Sequence, residues 1–187
     1  MLRRLLAAAV LVVVASPAVA HTGHAADGLV HGFLHPMGGY DHVLAMIAVG
    51  LWSAQIGGRA LWLLPATFVS AMAFGAFLGV ADLALPSAEL GVVASVVVLG
   101  IAIATAARLP LALSAATIMV LAVFHGYAHG TEMPLAANGV TYGAGFAAGT
   151  AVLHAAGLGV ASLLRRTKLL RPLGGAIAVA GAALGMS

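Results

Sequence analysis

The sequence predicts an all-α fold: a polytopic membrane helix bundle, six transmembrane helices after a cleavable signal peptide. Three observations carry this expectation. Hydrophobic residues make up 63% of the 187 and charged residues only 7%, whereas a soluble domain has about 25% charged residues. Mean hydropathy is +1.12, so charges are too few to clothe a water-facing surface and lipid must cover much of the exterior. Apolar runs of span length follow one another with only short breaks, leaving no linker, low-complexity tract or soluble domain.

The first element is a secretory signal over residues 1–20, followed by a six-helix transmembrane domain over 21–187. Arg3 and Arg4 form a basic start, Leu5 to Ala15 an apolar stretch, and Pro17 breaks the helix before the small-residue cleavage pattern Ala18-Val19-Ala20. An uncleaved first helix is the competing reading, but the apolar run is short for a span. Cleavage makes His21 the new N-terminus, where its amine and imidazole could chelate a metal beside His24.

The six spans fall at roughly 30–56, 60–81, 88–107, 110–130, 138–164 and 172–187. Gly57-Gly58, Pro86, Pro110, Pro134 with Asn138-Gly139, and Pro172 mark the joints. With the new N-terminus outside, three loops face the cytoplasm, holding Arg59, then Arg108, then Arg165, Arg166, Lys168 and Arg171. Asp27, Asp82, Glu89 and Glu132 fall outside. This is the positive-inside pattern, and it places the chain in a bacterial inner membrane with a periplasmic mature N-terminus. It also explains the net charge of +3 by topology, leaving a nucleic-acid role without support. Trp52 and Trp62 flank the first inner loop, where an interfacial aromatic belt is expected. Gly75-x-x-x-Gly79, Gly145-x-x-x-Gly149 and Gly181-x-x-x-Gly185 give faces on which helices can approach closely. Pro65 is expected to kink the second span.

Cysteine is absent, while the 8 histidines outnumber the 5 acidic residues. Metal chemistry here therefore rests on imidazole, carboxylate, thioether or backbone oxygen. Two clusters concentrate it. The first opens span one: His31-Gly32-Phe33-Leu34-His35-Pro36-Met37-Gly38-Gly39-Tyr40-Asp41-His42. Proline disfavours α geometry at His35 and the glycines make a pliable turn, so a helix that breaks and restarts is expected, as in carriers that present helix ends to an ion. The second closes span four: Phe124-His125-Gly126-Tyr127-Ala128-His129-Gly130-Thr131-Glu132-Met133-Pro134. His125 and His129 are spaced i, i+4 on one face, and Glu132 can join it. An intramembrane Asp costs about 2.5–3.5 kcal/mol, so Asp41, His42, His129, Glu132, His35 and His125 are candidate metal ligands. His31 reads as a hydrated interfacial residue and His154 as a packed polar residue in span five, with a relay toward the exit as its alternative. Met37, Met46, Met72, Met119 and Met133 read as packing.

The string His35-Pro36-Met37-Gly38-Gly39-Tyr40-Asp41-His42 resembles the HPxxGxDH motif of the HupE/UreJ family. Trp52 with Gly57-Gly58-Arg59-Ala60 resembles that family too, and residues 124–132 are similar to its second motif, FHGxAHGxE. The resemblance covers essentially the whole chain, with both motifs in order and no departure at their positions. It implies a hydrogenase or urease accessory protein that carries nickel into the cytoplasm for maturation of a nickel enzyme, and it adds Glu89 to the candidate metal-path residues. Nickel is then the transported substrate, with cobalt or zinc as alternatives, captured by His21, His24 or Glu89 and passed to the two clusters. No permanently bound cofactor is expected, and the partners are a divalent metal ion and the lipid bilayer, with a homo-oligomer left open. The sequence has no nucleotide-binding loop, so a gradient or cytoplasmic trapping of the ion must drive transport. Two other classes fit the same residues: a membrane-embedded zinc hydrolase, in which the clusters activate water, and a haem protein with histidine axial ligands. Both retain a metal or cofactor, whereas a carrier exchanges it.

Overall fold

The computed structural model describes residues 25–133 and 139–186. The signal segment, His21, His24, Pro134 and Asn138 lie outside the described residues. Within them the chain is all-helical: α1 (Ala25–Leu34), a single 3-10 turn (His35–Met37), α2 (Tyr40–Ile56), α3 (Ala60–Val80), α4 (Ala88–Ala104), α5 (Leu111–Thr131), α6 (Gly139–Leu164) and α7 (Leu170–Leu184). The break expected after His35 is present: the 3-10 turn and an extended Gly39 separate α1 from α2.

The helices pack chiefly as α1 and α2 on α6, α3 on α5, and α4 on α7. Glycine permits each seam. Gly28 of α1 faces Thr141, Pro36 faces Gly149, and Gly50 of α2 faces Gly157, so the broken helix runs parallel to α6. Gly75 and Gly79 face Val123 and Gly130, making α3 parallel to α5. Gly185 lies on Val93 and Gly174 on Ile103, making α7 antiparallel to α4. Six alternating passes give these same relations for the first and fifth, second and fourth, and third and sixth. All three small-residue motifs read from the sequence lie on these seams.

Outward-facing side chains are apolar: Phe77, Leu163 and Val179 are 62%, 71% and 71% exposed. Such a surface suits lipid, and α3, α5 and α6 are long and apolar enough to cross a membrane. The third and sixth predicted spans come out shorter. α4 has 17 residues and α7 has 15, about 25 Å or less at about 1.5 Å per residue against about 30 Å of hydrocarbon. α4 stops early because the chain turns at Ala106, whose φ is 55°. Pro172 does not mark a joint: it lies in the first turn of α7, where its missing N–H costs no helical bond. Pro65 sits inside a continuous α3.

The two ends of the bundle differ. At one, the Trp52 indole donates to the Ala107 carbonyl at 3.0 Å, Gln55 Nε2 to Ile103 O at 3.1 Å and Arg171 Nε to Ala104 O at 2.8 Å. These bonds gather α2, α4 and α7 beside all the basic residues of the described chain. Trp52 is accordingly buried, at 1% exposure, and is a packing residue rather than part of an interfacial belt; Trp62 does face outward. The opposite end holds His31, His35, His42, His125 and His129.

Candidate metal centre

Two sequence motifs build this end, and each divides its labour between faces. In residues 124–130, His125 and His129 point to α2 while Gly126 and Gly130, one residue on, let Met72 and Ala76 of α3 lie directly against the backbone. The alternation of histidine and glycine thus sets both the donors and the helix contact that fixes them. In residues 35–42, Pro36 is buried against Gly149. Gly39 leaves space for the pair that follows: a Cβ there would lie 2.6 Å from Asp41 Oδ1 and 2.8 Å from His42 Nδ1.

At the mouth, one donor atom each from His35, His129 and Glu132 lie within 4.8 Å of one another. His35 Nε2 is 3.4 Å and His129 Nδ1 3.8 Å from Glu132 Oε2. Glu132 is exposed and His129 is buried, so the group spans the passage from water to interior. The cavity there is about 510 Å³ and is also lined by Asp41, His42 and His31. His31 is exposed, as expected of a hydrated residue. One step deeper, the His42 ring lies 4.2 Å from that of His129 and 5.0 Å from that of His125, centroid to centroid. The side chains of the two motifs therefore meet, although α2 and α5 share no extensive seam.

Hydrogen bonds assign the imidazole tautomers. Asp41 Oδ1 accepts from the His42 backbone N–H at 2.8 Å and from His42 Nδ1–H at 2.7 Å. His42 Nε2 is then a lone pair, buried and without a hydrogen-bond partner. Ser95 donates its hydroxyl to Val92 O at 2.6 Å and so must accept from His125 Nε2–H, also at 2.6 Å. His125 Nδ1 is likewise a buried lone pair without a hydrogen-bond partner, and neither ring nitrogen of His129 makes a hydrogen bond. Metal-binding histidines share this arrangement, with the second nitrogen tied to a carboxylate or other acceptor. Buried unpaired donors and acceptors are otherwise rare, because each costs about 1–3 kcal/mol.

Asp41 therefore acts on His42 rather than sitting in the three-residue group at the mouth. Ser95, in α4, was not legible from the sequence; a lone serine in an apolar helix gives no signal without the partner across the bundle. Tyr142 is a second such residue, 5.7 Å from the His35 ring by centroid and with its hydroxyl buried and unpartnered. Glu89 lies outside the histidine cluster. It is exposed on the first turn of α4 and lines a neighbouring groove with Tyr127, Thr131 and Glu132.

The HupE / UreJ protein family matches residues 9–184 of this chain. The chain is also 44% identical over 173 residues to Protein HupE of Rhizobium leguminosarum bv. viciae, covering 90% of each. No solved structure matches it.

Proposed function

The chain belongs to the HupE/UreJ family, and from that premise we propose that it carries nickel ions across the bacterial inner membrane into the cytoplasm, for maturation of a hydrogenase or urease. The observation that supports this most is the set of buried imidazole nitrogens without a hydrogen-bond partner on His42, His125 and His129, continuous with the His35–Glu132 mouth. Neutral imidazole suits nickel and its neighbours, while the carboxylate offsets the 2+ charge.

Glu132 and Glu89 attract the hydrated ion from the periplasmic side, where the mature N-terminus also lies. His35, His129 and Glu132 exchange part of its water for nitrogen and oxygen. The ion then moves to His42 and His125, whose rings Asp41 and Ser95 hold with lone pairs turned away from their own hydrogen bonds. His129 touches both groups, so transfer proceeds by ligand exchange without a fully stripped ion. Because Cu²⁺ exceeds Ni²⁺ in intrinsic affinity, selectivity comes from site geometry and metal supply. A gradient or trapping in the cytoplasm provides the direction.

The test is uptake of radiolabelled Ni²⁺ into sealed, oriented proteoliposomes, with an Asp41→Asn/His42→Ala double variant alongside and Co²⁺ and Zn²⁺ as competitors. Saturable uptake that the double variant lacks is expected. Absence of uptake by the unaltered protein, under both a proton gradient and an internal chelator, would sink the proposal.

A further inference from the structure

His154 lies beyond the cluster just described and neither family motif contains it. Its Nδ1–H donates to the Met46 carbonyl of α2 at 2.8 Å, which fixes the tautomer. Nε2 is consequently a lone pair, and it is buried without a partner in a residue only 2% exposed. This is the state of His42 and His125 at the cluster: one nitrogen held by a protein acceptor and the other left free inside.

Its position adds to this. Tyr142, beside His35 at the mouth, and His154 are both on α6, twelve residues or about 18 Å apart along the helix. About another 15 Å of α6 separates His154 from the basic end. A single side chain bridges the cluster and His154. The Phe68 ring is 5.6 Å from that of His125 and 5.1 Å from that of His154, standing edge-on to the latter at 90°. Phe68 is fully buried. One turn back along α6 from His154, buried Thr150 donates to Met72 Sδ at 3.8 Å, and Met72 is one turn along α3 from Phe68. The hydroxyl and the thioether thus lie one turn nearer the cluster, where Met72 backs onto Gly126 beside His125, and the His154 imidazole lies one turn further in, against the Phe68 ring.

We infer that His154 is an inner binding station for the transported divalent cation, reached from the three-histidine cluster by passage around the Phe68 ring. This rests on the transport reading above and adds a site on the cytoplasmic side of that cluster. A merely structural role would need only the Nδ1–H bond to Met46, which ties α2 to α6, and gives no use for the free Nε2. The two roles separate experimentally. Asparagine at this position keeps a side-chain N–H for the Met46 carbonyl but has no counterpart of Nε2.

The experiment compares unaltered full-length protein with His154→Ala and His154→Asn in two assays: equilibrium Ni²⁺ binding to protein in lipid nanodiscs, and Ni²⁺ uptake into proteoliposomes. Both variants are expected to bind Ni²⁺ at the outer cluster with unchanged affinity but to take up one equivalent fewer at saturation. Uptake by both should fall at least about tenfold, the size of loss typical when a metal site loses a supporting group. Wild-type uptake and stoichiometry in His154→Asn would overturn the inference and leave His154 as a helix tether. Should His154→Ala fail to fold, His154→Asn decides alone. Failure of the unaltered protein to bind or transport Ni²⁺ would overturn the transport reading and this inference with it, whereas loss confined to the variants separates the two.

Discussion

His42 Nδ1 lies 2.7 Å from Asp41 Oδ1, and that contact between chain neighbours decides which nitrogen of His42 is free. The contact needs room beside the start of α2, which Gly39 leaves by having no side chain. The carboxylate orients the ring and raises its basicity. Asp41→Ala should therefore weaken Ni²⁺ binding about 10–100-fold although Asp41 is outside the mouth group. Asp41→Asn, whose amide oxygen still accepts a hydrogen bond, should lose less. Titration of purified protein with Ni²⁺ checks the order; equal losses would mean that the negative charge, not the orientation, is what matters.

Gly39→Ala should reproduce much of the Asp41→Ala defect without removing any donor. A methyl group there would press on both Asp41 Oδ1 and His42 Nδ1, so the pair must separate. The bundle seams are remote from Gly39, and thermal stability should change by no more than about 1–3 kcal/mol, the usual range for an overpacked site. Nickel affinity and thermal unfolding measured on the same preparation distinguish a displaced pair from a lost fold.

Ser95→Ala tests the second orienting contact. Without the hydroxyl, His125 Nε2–H loses its acceptor and the ring is free to change tautomer, which turns the proton toward the ion. A stability loss of about 1–3 kcal/mol is expected from the unpaired buried N–H, with Ni²⁺ affinity reduced about 10–100-fold. Unfolding midpoints and Ni²⁺ titration in detergent read the two effects separately. An unchanged affinity would remove His125 from the ion's path.

The helices and both motifs were legible because their signals are local. Proline before a glycine pair predicts the break at residues 35–39, and i, i+4 spacing puts His125 and His129 on one face. Positive φ at Gly57, 79°, and Gly58, 56°, shows why that glycine pair ends α2. What the sequence does not carry is the contact across the bundle. Ser95, Tyr142 and Phe68 matter only through what the fold sets against them, and each is an ordinary residue in its own helix. Trp52 was misplaced for a related reason: proximity to a loop says nothing about which way an indole faces, and its N–H turned inward to cap Ala107. The shorter α4 and α7 likewise reflect local turns that an apolar run alone does not reveal.

Protonation should compete with the metal. Binding requires neutral imidazoles, so uptake should fall as external pH is lowered. The sign is fixed because metal and proton seek the same lone pairs on His35, His42, His125 and His129. Initial rates at subsaturating Ni²⁺ across external pH, with internal pH clamped, provide the check. A rate that rises on acidification under these conditions would mean that proton coupling outweighs competition at the ligands.

Glu132 differs from the histidines in being exposed, with 60% of its side chain open to solvent. Its charge acts first on capture: it raises the local concentration of a divalent ion at the mouth before His35 and His129 engage. Exposed charges are screened over about 8–10 Å at ordinary salt, so this part of its effect must depend on ionic strength. Glu132→Gln keeps the side chain's size and removes the charge. It should lower uptake at low Ni²⁺ by about tenfold, a typical lower bound for electrostatic steering, and the deficit should narrow as salt is added to both proteins. The maximal rate at saturating Ni²⁺ should fall less, because the imidazoles of His35 and His129 remain. Uptake curves at two ionic strengths resolve these contributions. A maximal rate abolished in Glu132→Gln at every salt concentration would instead make Glu132 an obligatory ligand in the transfer step, and capture would then rest on Glu89 in the adjoining groove.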